Sequence, residues 1–176
     1  MRTANSVEPA PYLPALRRVY EPLQPYGLTI LRIALGVYLM LHGYSKVFEG
    51  STAGLAAGPI SKMGLPAPLV WAYIVAAVEF GGGLLIAIGF LTRLAAALVL
   101  VEFIVIVLRL KLPNGFFAMA PKAIQPGYPG MIPGGYELEL LLGLLALTFV
   151  ITGAGRLSID RAIGREHLSS NSGSTV

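Results

Sequence analysis

The chain has 176 residues, 55% of them apolar and only 12% charged, with a mean hydropathy of +0.72; one small soluble domain cannot bury that much apolar surface. The net charge of +4 does not indicate nucleic acid, because the basic residues are scattered around apolar segments and form no run or stripe. Cysteine is absent, which excludes disulfide exchange, thiolate catalysis and iron–sulfur ligation by this chain.

The N-terminal segment, residues 1–27, carries Pro9, Pro11, Pro14, Pro22 and Pro25 ahead of any long apolar run, and does not read as a cleaved signal peptide. Within it, residues 13–21 have the composition of a short helix lying at the headgroups, with an unstructured tail as the alternative. A spanning helix needs roughly 20 mainly apolar residues, and four stretches qualify: about 28–47, 68–90, 94–112 and 136–153. The fold class expected is therefore all-α, an integral membrane four-helix bundle over residues 28–160.

The first link, Glu49 to Pro68, is punctuated by glycine and proline. Leu91-Thr92-Arg93 forms a tight second turn, so spans two and three are antiparallel neighbours. The third link, Pro113 to Gly135, carries Phe116, Phe117 and Tyr128, aromatics suited to a membrane–water interface. The tail from 161 to 176 ends in a serine-rich stretch and is expected to be disordered and cytoplasmic. Arg2, Arg17, Arg18, Arg93, Arg156, Arg161 and Arg165 lie on one side of this topology; Lys46, Lys62, Arg109, Lys111 and Lys122 lie on the other. The bias puts both termini in the cytoplasm.

Ionisable side chains at membrane depth are costly and face the interior or find partners. At about 1.5 Å per residue, Glu79 and Glu102 fall near the midplane and Arg32 toward the inner face. His42, Arg109 and Glu139 share a depth toward the outer face, with Lys46, Lys111 and Glu137 further out. Arg32, Gly36, Leu39, Gly43 and Lys46 recur at steps of four and three and define one inward helix face. Glu79 lines up with Gly82, Gly83 and Ile86, and Glu102 with Arg109 seven residues later. Glu137 and Glu139 point in different directions, so one of them enters the bundle.

Two readings of these charges stand. In the structural one, Arg32 pairs with Glu79, and Arg109 with Glu102 or Glu137, fixing helix register. In the other, His42, Lys46, Glu79, Arg109 and Glu137 line a polar pocket that opens outward and holds a ligand's oxygens or passes protons. With His42 and His167 the only histidines, neither a bis-histidine haem nor a metal site is expected.

The ordered string Leu31-Arg32, Gly36, His42-Gly43, Lys46, Gly64-Leu65-Pro66, Glu79, Gly82-Gly83 and Gly89-Phe90-Leu91-Thr92-Arg93 resembles the DoxX family. Gly115-Phe116-Phe117, Gly135-Tyr136-Glu137 and the run from Gly153 to Asp160 continue the likeness, which covers Thr29 to Asp160. No single motif is specific; the ordered combination is. The resemblance implies a four-helix protein of the bacterial or archaeal plasma membrane, in a family commonly assigned as oxidoreductases though much of it lacks an established reaction. One branch is similar to the membrane subunit of a thiosulfate-oxidising, quinone-reducing enzyme; another associates with redox-defence partners. The family's charged positions fall on Arg32, Lys46, Glu79, Arg93, Glu137, Arg156 and Asp160.

The leading expectation is an enzyme or enzyme subunit using a quinone, with Glu79, His42 and Glu137 in catalytic roles and Arg32, Lys46, Arg109 and Glu102 contacting the substrate. An accessory subunit of a larger membrane complex and a small-molecule transporter are the alternatives. The partners expected are the lipid bilayer, a larger complex or redox partner, and a second copy of the chain.

Overall fold

The computed structural model describes residues 17–117 and 134–164. The proline-rich residues up to 16, the link residues with Lys122 and Tyr128, and the serine-rich tail with Arg165 and His167 lie outside the described residues.

The described chain is helical, with no strand among those residues. A short helix α1 (Arg17–Leu23) takes up part of the segment read as an interfacial helix. The first long helix is α2 (Gly27–Phe48). The first link folds into α3 (Thr52–Leu55) and a π segment, Ala56–Ile60, which pack on α4 (Pro68–Ala77) through Ala56, Ile60 and Ala72. From α4 the chain continues through a second π segment, Val78–Gly82, into α5 (Gly83–Ile88). Helix α6 (Thr92–Ile106) runs on into a third π segment, Val107–Lys111. Helix α7 (Glu137–Thr152) and the short α8 (Ile159–Ala162) complete the order.

Among the described residues two stretches are long and apolar enough to cross a membrane by themselves: Glu21–Phe48, 28 residues, and Pro68–Ile88, 21 residues. The stretch through α6 carries Arg93, Glu102, Arg109 and Lys111, and α7 has only 16 residues. Their apolar signal is correspondingly weaker. The outward faces of the long helices are nevertheless apolar, with Ile30 61% on α2, Val70 57% on α4, Val101 58% on α6 and Leu141 63% on α7 exposed. A water-facing helix would place polar side chains there.

The core is built from Leu35, Leu39, Ile86, Ala95, Ala96, Val99, Phe103, Leu142, Ala146 and Phe149. Within it α2 packs against the Val78–Ile88 stretch, and α6 against α7. The first of these contacts is backbone to backbone. A Cβ on Gly36 would lie 2.5 Å from the Gly83 carbonyl oxygen, and one on Gly83 would lie 2.8 Å from that of Gly36. Gly43 abuts the backbone of Phe80 in the same way. Small residues permit this approach, and dispersion between the touching backbones holds it.

One end is held by a clasp of main-chain hydrogen bonds. The buried Arg32 guanidinium donates to the carbonyls of Ala154 and Leu157, in the loop where α7 has ended and carbonyls lack helical donors. Gly89, with φ +73°, ends α5 in the left-handed region, and a Cβ there would collide with that guanidinium. Asp160, 4% exposed, accepts from the backbone N–H groups of Leu91 and Thr92, both at 2.9 Å, at the start of α6. This holds Leu91 in a left-handed conformation, φ 49°, that leucine seldom adopts.

Two outcomes follow. Gly36→Val separates α2 from α5 and lowers stability by about 1–3 kcal/mol or more, whereas Gly27→Ala, with open space around it, is neutral; denaturant titration in bicelles measures both. Asp160→Ala leaves two N–H groups without an acceptor and costs about 2–4 kcal/mol, part of which Asp160→Asn recovers in the same assay.

A buried cluster of lysines and carboxylates

Lys46 leaves α2 three residues beyond Gly43. Helical side chains lean toward the N-terminus, so its ammonium reaches back one turn, donating to the His42 carbonyl at 3.2 Å, and forms an ion pair with Glu79. The two side chains are 15% and 11% exposed. The absence of a side chain at Gly43 brings the Glu79 backbone near enough for this contact. Glu79 itself sits in the π segment Val78–Gly82, a feature frequent at functional sites.

A second ion pair joins Lys111, at the end of the third π segment, to Glu139 in the first turn of α7. Glu102 on α6 lies within electrostatic reach of Glu79 and Lys46. Both Glu102 carboxyl oxygens, and Oε2 of Glu139, are buried and receive no N–H or hydroxyl donor among the described residues; the Glu102 carboxyl lies against that of Glu79, within reach of a shared proton. The Tyr38 phenol feels the charges of Glu139 and Glu79 from α2. Three carboxyls, two ammonium groups and a phenol from α2, α6, α7 and two of the π segments thus share one interior.

Beside this cluster runs a cleft of about 270 Å³ between α6 and α7. Its walls come from Leu100, Phe103 and Ile104 on α6 and Gly143, Leu144 and Leu147 on α7, and Glu139 supplies its one charged group.

The arrangement corrects several expectations. Arg32 does not pair with Glu79: it binds two carbonyls at the clasp, because its position near the start of α2 puts it at that end. Lys46 takes Glu79 instead, its ammonium lying deeper than its Cα. Arg109 does not meet Glu102 or Glu137. The π segment Val107–Lys111 alters the helical repeat, so the seven-residue alignment with Glu102 is lost. The exposed Arg109 donates to the Met63 carbonyl of the first link at 3.0 Å.

His42 is exposed, its ring 4.4 Å from that of Tyr38, and it lies outside the cluster. Of the two acids at the start of α7, Glu139 enters; Glu137 points about 200° away around the helix. The sequence reading thus named Lys46, Glu79 and Glu102 among the candidates, and passed over Lys111, Glu139 and Tyr38. Depth matching placed Glu139 with His42 and Arg109, and Lys111 further out with Glu137; which acid enters depends on the rotation of α7, set by packing.

The profile of the family described as DoxX matches residues 27–112, the stretch from α2 through the third π segment. An uncharacterised protein of Haemophilus influenzae is 32% identical over 143 residues, covering 80% of this chain and 92% of that protein. The chain belongs to the DoxX family. An uncharacterised membrane protein of Mycobacterium tuberculosis is 28% identical over 157 residues, 86% of this chain and 90% of its own. The Bacillus subtilis protein named "Putative oxidoreductase CatD" is 28% identical over 134 residues, 76% of this chain and 84% of its own. No solved structure matches the chain. The DoxX-family chain is accordingly a membrane protein, and the profile match takes in Lys46, Glu79 and Glu102.

Lys46→Met leaves Glu79 without its cation in the apolar interior and destabilises the fold by about 3–5 kcal/mol. The double change Lys46→Met with Glu79→Leu recovers most of that loss, and a double-mutant cycle in bicelles reads the coupling.

Proposed function

We propose that this chain is a multi-pass subunit of a quinone-linked oxidoreductase in the bacterial plasma membrane, with the lysine–carboxylate cluster handling protons. The observation that carries the reading is Glu102: a carboxyl with both oxygens buried and no N–H or hydroxyl donor among the described residues, set against the carboxyl of Glu79 and its ion pair with Lys46. A residue that served only to brace the helices would be expected to have its hydrogen bonds satisfied. The relative named as an oxidoreductase supports the same reading.

Reduction of a quinone takes two electrons, drawn here from a reduced partner protein, and two protons. Lys46 and Lys111 offer N–H donors that polarise a ring oxygen and offset the charge arriving on it. Three carboxyls face two ammonium groups, so one carboxyl is left to hold and release a proton. Glu102 occupies that place, with Glu79 beside it as the next site in the relay. The surrounding leucines and Phe103 keep bulk water away, which strengthens each of these interactions.

Topology belongs to this proposal. The start of α2, the turn before α6 and the segment after α7 meet at the clasp, so the long helices alternate in direction. Arg93, Arg156 and Arg161 cluster at that end, which we place in the cytoplasm.

Turnover in proteoliposomes supplied with the native reductant partner falls about 100-fold or more in Glu102→Gln, at the scale of general acid–base loss, and is also lowered by Glu79→Gln. Undiminished quinone reduction in both variants refutes the assignment. For topology, alkaline phosphatase fused after Lys62 is active and a green fluorescent protein fused after Gly164 is fluorescent; the reverse pattern inverts the orientation.

A further inference from the structure

We propose that Tyr38 and His42 form a proton track along one face of α2, opening at Glu49 and joining the buried lysine–carboxylate cluster to the aqueous side opposite the clasp. The inference rests on the reading of that cluster as a proton-handling site, and adds the route and the side from which protons arrive.

Tyr38, His42, Ser45 and Glu49 fall within about 60° of one another around α2 and cover about 16 Å of its length. The stripe runs from the level of the cluster to the C-terminal cap, Glu49. Toward the clasp the same face continues as Ala34 and Leu31, both apolar. Polarity on this face therefore enters from one end and stops where the cluster begins. The stripe borders the buried face formed by Leu35, Leu39 and Gly43, and on its other flank lies the apolar outward side with Val37, Leu41 and Tyr44. It thus follows the edge of the bundle, with Tyr38 half-buried and His42 and Glu49 exposed.

The inner end has the partners that a proton carrier needs. Helical side chains lean toward the N-terminus, so the Tyr38 phenol points along α2 away from Glu49, and it feels the charges of Glu139 and Glu79. The His42 ring packs on that of Tyr38, with centroids 4.4 Å apart and planes tilted by 36°. Ser45 and Lys46 both donate to the His42 main-chain carbonyl, at 3.3 and 3.2 Å; neither bond engages the imidazole. An imidazole facing only hydrocarbon on a spanning helix is costly. In a polar track it takes a proton on one ring nitrogen and gives one from the other, and the phenol hydroxyl likewise accepts and donates. Each passage moves one proton and no electrons. A ring pair that served packing alone would work as well with two phenylalanines, and that difference is measurable.

The test is hydrogen–deuterium exchange of the protonated carboxyl, followed by infrared spectroscopy on the whole chain in phosphatidylcholine nanodiscs after transfer to heavy water. The carboxyl band is assigned to Glu102 by its loss in Glu102→Gln. His42→Phe and Tyr38→Phe keep both rings and remove only the proton-carrying atoms. Each is expected to slow exchange of the Glu102 band about 100-fold, the scale of one positioned proton carrier. Tyr44→Phe, on the outward side of α2, leaves the rate unchanged. Undiminished exchange in either His42→Phe or Tyr38→Phe, or equal slowing in Tyr44→Phe, overturns the proposal. Where that occurs while Glu102→Gln still abolishes turnover, the track alone falls and the proposed function stands. A chain with no protonated Glu102 band overturns the proton-holding role in the proposed function, and the track with it. Slowed exchange in a chain that reduces no quinone upholds the track and refutes the quinone link.

Discussion

The close approach of α2 to the stretch Val78–Ile88 governs what the rest of the molecule can do. Gly36 and Gly83 touch backbone to backbone, and Gly43 lies against Phe80. At that separation Lys46 reaches Glu79, and the ion pair forms in a place where neither charge could remain alone. A wider spacing would leave an ammonium and a carboxylate each facing hydrocarbon. Packing by small residues and pairing of charges are here one constraint.

The molecule separates two uses of buried polarity. At the clasp, Arg32 and Asp160 spend their hydrogen-bonding capacity on main-chain groups at helix ends and the turn before α6. That is architectural, since helix termini carry groups that must be satisfied somewhere in an apolar medium. In the middle of the bundle the accounting is incomplete: Lys46 and Lys111 each hold one carboxylate, and Glu102 is left with no cation of its own and only the Glu79 carboxyl beside it. Incomplete satisfaction in a low-dielectric interior is costly, and a site that binds or transfers protons is a physical reason to retain it.

The three π segments bear on the same point. One contains Glu79, one contains Arg109 and Lys111, and one closes the first link against α4. Each wide turn changes which residues share a helix face, so a site can be aimed without bending the helix. This explains how Lys111 comes to face Glu139 while Arg109, two residues earlier, turns to the Met63 carbonyl of the first link.

Sequence alone determined the all-helical membrane class, because the apolar composition and the four apolar stretches are properties of the chain that no partner can alter. It also determined the inward face of α2, since Arg32, Gly36, Leu39 and Gly43 repeat with the helical period and are all buried. Glu79 and Glu102 were legible at a common depth because each lies near the middle of its stretch, where helix rise converts residue count into depth. What the tertiary structure decided is pairing. Depth along a helix does not say how far a side chain leans, how a π turn shifts the register, or which way α7 is rotated. Lys46 therefore took the acid assigned to Arg32, Arg109 lost its alignment with Glu102, and Glu139 entered in place of Glu137. Those choices depend on contacts between residues distant in the chain, where periodicity carries no information.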